Sequence, residues 1–203
     1  MKFMKWKILI ISSIVCLLPI LLGLAMWNSL PDVIAIHFDF YGNPDNFAKK
    51  GFVVFGLPAL MVVLQTFCCF VNDLNAHKFG ERKKFERATK WIIPAMSIVL
   101  QIATFGYSVG WNIDIRKVVA MGVGGIFVVI GNYMPKFDRI KNYDLDSEKA
   151  RKVNRFIGYE SVVMGVLFLI SAFLPPVSTL ICLMLLIPYA IISIIYGIKV
   201  ARK

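Results

Sequence analysis

Residues Leu30 to Gly51 read LPDVIAIHFDFYGNPDNFAKKG, a polar, turn-rich stretch set between two apolar runs too long for a soluble domain. Asp32, Asp39 and Asp45 crowd into it with His37, one of 2 histidines in the chain. From Val33 to Phe40 the pattern has period two. Ile34, Ile36, Phe38 and Phe40 point one way and Val33, Ala35, His37 and Asp39 the other, so a short strand is expected. Tyr41 to Asn46 then reads as a turn, in which Gly42 takes positive φ and Pro44 presets a bend. The apolar face of such a strand must rest on the membrane interface or on the ends of neighbouring helices.

Outward from this stretch, 58% of the 203 residues are hydrophobic and 17% charged, which is too apolar for water. Six apolar windows stand out: Ile8 to Met26, Phe52 to Val71, Trp91 to Gly110, Val118 to Met134, Ile157 to Leu174 and Thr179 to Ile198. Each runs about 17 to 20 residues, the length a helix needs to cross about 30 Å of hydrocarbon. The fold class is therefore an all-α membrane protein, a six-transmembrane-helix bundle with a short extracellular β-like insert between helices 1 and 2. Residues 1–110 form an amino-terminal three-span half with the insert at 28–51, and residues 111–203 a second three-span half. The amino end has the charge pattern of a signal peptide, but its apolar run is too long for one and reads as a span.

The formal net charge is +11, yet the bases are spread among loops rather than gathered on one face, which argues against direct nucleic-acid binding. All Lys and Arg but Lys49, Lys50, Arg116 and Lys117 fall on one side of the six windows. The positive-inside rule then places both termini in the cytoplasm and the insert outside. Lys83, Arg87 and Lys90 recur at helical spacing, as a solvated orientation signal or a helix on anionic headgroups. Cys16, Cys68, Cys69 and Cys182 lie inside apolar windows with no metal-type spacing and read as small buried hydrophobes. Gly106 and Gly110 have the spacing that lets helices approach, Met121 to Gly125 makes span four thin, and Asp146-Ser147 reads as the cap of helix five.

His37 and His77 fall on opposite membrane faces, and no paired intramembrane acids or Ser-His arrangement is available. The chain accordingly reads as no enzyme, with neither cofactor nor metal required. In the insert His37, Asp39, Asn43, Asp45 and Asn46 have the chemistry of an oxygen-rich cation site, while turn-making accounts for the same residues. Glu160 is the one acid placed well within a window, open to a functional role or to pairing with Asn132 across the bundle. Together with Gln65 and Gln101 these residues would serve a small transporter or ion-linked permease. A membrane-assembly factor is a third class.

A first span ending before Leu30-Pro31-Asp32, a strand holding His37-Phe-Asp39, and the run Tyr41-Gly42-Asn43-Pro44-Asp45 resemble the amino-terminal domain of SdpI-type integral membrane proteins. Gly131-Asn-Tyr-Met-Pro-Lys136 resembles the second signature of that family. The resemblance implies immunity to a secreted membrane-active toxin, with ligand contacts at Asp32, His37, Asp39, Tyr41, Gly42, Asn43, Pro44 and Asp45. It also implies a cytoplasmic repressor as a second partner. After Lys136, however, the family pattern of Gly-Ile-Arg/Lys-Thr-Pro-Trp is replaced by Phe137-Asp-Arg-Ile-Lys-Asn-Tyr-Asp144, and Asn154-Arg-Phe-Ile-Gly158 stands near a later Trp-x-x-Thr-His.

Overall fold

The structure, a computed structural model, describes residues 4–79, 83–136 and 147–202. Among the described residues, six helices are long and apolar enough to cross a membrane: α1 (Trp6–Ala25), α2 (Leu57–Phe79), α3 (Lys83–Ser108), α4 (Ile115–Tyr133), α5 (Ser147–Ser171) and α6 (Pro176–Ala201). Between α1 and α2 lies an antiparallel pair, β1 (Val33–Phe38) and β2 (Pro44–Lys49). The six expected helices and the insert are thus present. Several helices outrun the apolar windows: α3 has 26 residues, roughly 39 Å, against about 30 Å of hydrocarbon. Their charged ends continue past the apolar region.

The chain divides into two compact units, Met1–Asp73 with Thr89–Val119, and Leu74–Ala88 with Ala120–Lys203. In the first, Leu30, Ile34, Val53, Val54 and Phe105 form a fully buried cluster, with Ile36 and Ala48 packed against it. One face of the hairpin therefore rests on the ends of α1 and α3 and on the π-helical turn Phe52–Gly56. That turn has a local cause. Leu57 N–H bonds the Phe52 carbonyl five residues back, so the next carbonyl in register, Val53, would need the amide that Pro58 lacks. Gln101 Nε2 donates to Val53 O at 2.6 Å and replaces it.

Two expectations are corrected here. Gly106 and Gly110 do not mediate a helix crossing. Gly106 is covered by Trp111 and Ile113 of the following link, and Gly110 takes φ +86° as the residue that ends α3. Lys90 is neither solvated nor on headgroups but fully buried, for reasons given below. Of the cysteines, Cys16, Cys69 and Cys182 are buried and Cys68 is half-buried, all as free thiols. The cap expected at Asp146-Ser147 and the divergent run Phe137 to Asp144 lie outside the described residues or side chains.

In the second unit α4 and α5 run antiparallel with glycine against glycine. A Cβ built on Gly124 would lie 2.8 Å from the Gly165 carbonyl oxygen, and one on Gly131 2.6 Å from that of Gly158. The thinness read at Met121 to Gly125 is used at Gly124, whereas Gly125 has open space beside it.

Candidate functional site: the hairpin between α1 and α2

The strand expected from Val33 to Phe40 ends at Phe38, because Asp39 opens the turn. Asp39 Oδ1 accepts the amides of Tyr41 at 2.9 Å and Asn43 at 2.8 Å, and Oδ2 accepts Asn43 Nδ2 at 3.2 Å. Asp39 N–H donates to Asn43 O and Gly42 N–H to Asp39 O, with Gly42 at φ +92°. The turn is therefore Asp39 to Asn43, not Tyr41 to Asn46. Pro44 is the first residue of β2, paired with Phe38. Phe40, expected on the buried face, is exposed at the tip and lies against the exposed Tyr41 with ring centroids 3.9 Å apart.

Cross-strand partners define the two faces. Ile34 pairs with Ala48 on the inner face; Val33 pairs with Lys49 and Ala35 with Phe47 on the outer one. Bulges around His37 break the simple alternation, and Ala35 is buried although its outer-face neighbours Val33 and Phe47 are 55% and 53% exposed. Beyond Phe47, His37 Nδ1 lies 2.6 Å from Asp45 Oδ1. At the other end the fully exposed Asp32 carboxylate is 3.2 Å from Lys50 Nζ. The outer face is thus an apolar centre, Val33 and Phe47, with the His37–Asp45 pair at one end and Lys49 at the other, while Lys50 turns to the inner side and leaves Asp32 exposed at the strand's start.

Lys50 anchors this arrangement. Its ammonium donates to the carbonyls of Leu30 at 3.1 Å and Trp27 at 3.3 Å, just beyond α1, and lies 5.1 Å from the Trp27 ring centroid. At the tip, Phe38 meets Tyr107 of α3 edge-on at 5.0 Å. Sequence reasoning missed Phe47, β2 and the role of Lys50, since Pro44-Asp45-Asn46 has low strand propensity and only pairing with β1 extends it. Among the described residues, no three His, Cys, Asp or Glu side chains are grouped to hold a metal ion, and Asp39 is occupied by its own turn.

The Asn43 amide, with Asn43 Nδ2 and the amides of Tyr41 and Gly42, holds the Asp39 carboxyl below its ordinary value. A depressed carboxylate stabilises the fold above its unfolded-state value, near pH 4, and that contribution is lost as pH falls through the lower folded value. Protection of the Tyr41 and Asn43 amides, taken relative to their intrinsic exchange rates at each pH, is expected to fall on acidification across that window. Asp39→Ala should lack that protection at every pH, and unchanged protection would remove the carboxylate from the turn.

The bundle residues sit elsewhere. Glu160 is half-buried and accepts Ser193 Oγ at 2.8 Å; Asn132 is exposed, so the pairing expected between Glu160 and Asn132 is replaced by one between α5 and α6. In the first unit Gln65 Nε2 donates to Ser12 Oγ at 2.7 Å and Lys90 O at 2.9 Å, and Lys90 Nζ pairs with Asp73. Gln65, Cys69 and Asp73 recur every four residues of α2, a polar stripe legible in the sequence had Asp73 been kept within the helix.

Residues 14–62, from mid-α1 through the hairpin into α2, match the family described as "Domain of unknown function (DUF1648)". A curated relative, "Immunity protein SdpI" of Bacillus subtilis (strain 168), is 25% identical over 173 residues, 81% of this chain and 81% of its own. No solved structure matches. With that domain match lying over the hairpin and that relative spanning both halves of the chain, the protein is similar to the SdpI-type integral membrane proteins.

Proposed function

We propose that this protein is a non-enzymatic immunity or sensor protein of a bacterial cytoplasmic membrane, and that it meets a secreted membrane-active peptide or protein toxin at the outer face of the hairpin. Both termini are cytoplasmic in this reading. The observation that carries it is the outward, half-exposed pair Val33 and Phe47, with His37–Asp45 at one end and the exposed Asp32 carboxylate beyond the other, on a hairpin whose inner face is buried. An apolar centre with a polar rim is the anatomy of a recognition surface. Asp32, His37, Tyr41 and Asp45 supply its exposed polar groups, whereas Asp39, Gly42, Asn43 and Pro44 shape the turn that presents them. The relative's name supports the toxin; the hairpin supplies a surface for it. A transporter reading is less favoured, because Gln101 and Gln65 spend their donors on backbone and neighbouring helices.

The test is protection. A sensitive strain expressing the protein is challenged with the secreted toxins of the source strain. Phe47→Ala, and separately His37→Ala with Asp45→Ala, are expected to cut protection about thirty-fold at unchanged membrane level, as for loss of an interface hot spot of about 2 kcal/mol. Protection by no toxin, with substrate flux in proteoliposomes, would move the assignment to transport.

A further inference from the structure

The unit that holds α5 and α6 carries a groove of about 430 Å³ between them, walled by Tyr159, Val163 and Leu167 of α5 and by Leu185, Pro188 and Ile192 of α6. Its polar groups are already satisfied at the helix seam: Ser193 Oγ donates to Glu160, and Ser161 Oγ and Tyr189 Oη are 2.8 Å apart. Along α6 the groove is followed by a second concavity lined by Ile195, Ile198, Lys199 and Arg202. Leu185, Ile192, Ile195 and Lys199 follow one another at steps of three, four or seven, so hollow and bases share one face of the helix. We propose that this face binds an anionic phospholipid, one acyl chain lying in the groove and the phosphate held by Lys199 and Arg202.

Length supports this occupant. From Leu185 to Lys199 the helix rises roughly 21 Å, against about 15 Å for the hydrocarbon of one leaflet, so a chain seated at Leu185 brings its headgroup to the level of the bases. Charge supports it as well. Phe156 stacks on Tyr196 at 4.0 Å, which puts the exposed Arg155 at the same end of the unit as the exposed Lys199 and Arg202. Three bases at a headgroup level attract phosphate. A second copy docked there about an axis along the membrane normal would bring the same positive ends together, which disfavours self-association through this face.

The experiment uses the full-length protein purified in detergent and titrated with palmitoyl-oleoyl phosphatidylglycerol or phosphatidylcholine, with retained lipid counted by native mass spectrometry. The parent is expected to retain phosphatidylglycerol in preference. Lys199→Gln with Arg202→Gln should weaken that retention roughly ten- to thirty-fold, at about five-fold per base. Val163→Trp, at an exposed groove position, should abolish retention without touching the bases, and Lys117→Gln should change nothing. Equal retention of the two lipids, or undiminished retention in both altered proteins, overturns the proposal. So does conversion of a dimer to a monomer by Val163→Trp, which would make a second copy the occupant. If the double variant fails to accumulate, Val163→Trp alone decides.

Discussion

Lys90→Met is expected to destabilise the folded protein by about 3–5 kcal/mol, the cost of leaving a buried partner charge uncompensated. The Lys90 ammonium and the Asp73 carboxylate are 2.5 Å apart with side chains 1% and 0% exposed. Asp73 Oδ2 also accepts the Lys5 backbone amide at 2.9 Å, where α1 begins, and the Lys90 carbonyl accepts Gln65 Nε2. Three helices of the first unit thus meet at one ion pair. Met keeps the length of the lysine stem and removes only the charge, so packing is not the variable. Asp73→Leu combined with Lys90→Met should recover most of the loss, because replacing both members of a buried pair is often neutral. Denaturant unfolding in micelles measures both. Equal stability of Lys90→Met and parent would show that the pair is open to water.

How this pair escaped the sequence is instructive in physical terms. A lone acid after Asn72 and a lysine closing the run Lys83 to Lys90 look like loop charges when hydropathy marks the helix ends. Hydropathy locates hydrocarbon, not helix ends, and α2 and α3 continue beyond it, so two charges that seem peripheral face each other inside. The six spans were legible because a run of about 20 apolar residues has few alternatives. β1 was legible from its alternation, but β2 was not, since an edge strand beginning Pro44-Asp45-Asn46 owes its conformation to its partner. In the candidate site His37, Asp45 and Asp32 stood out by chemistry, whereas Phe47 needed the register to turn it outward. Lys50, legible in the sequence only as one of the four bases set apart from the rest, is a bonded anchor at the end of α1.

Gly131→Ala is expected to destabilise by about 1–3 kcal/mol or more, the range of overpacking in a closely fitted interior, and Gly125→Ala on the same helix to stabilise by roughly 0.5–1 kcal/mol. The two changes add the same methyl group, so propensity cannot explain opposite signs. At Gly131 the new Cβ would stand 2.6 Å from Gly158 O and 2.8 Å from Val162 N, backbone atoms that move only if α5 moves; at Gly125 it would meet nothing within 4 Å. The contact is reciprocal, for a Cβ on Gly158 would lie 2.6 Å from Pro135 Cδ and 2.8 Å from Gly131 O. Seven residues along each helix the pattern repeats, Gly124 against Gly165, so one seam holds the antiparallel pair at two levels. The run Gly131 to Lys136 thereby acquires a physical meaning. Its glycine admits the α5 backbone, and its proline, in the 3₁₀ turn Met134–Lys136 that closes α4, covers Gly158. Thermal unfolding of the two variants in micelles tests the seam: if both move stability in the same direction, close approach at Gly131 is not what this segment provides.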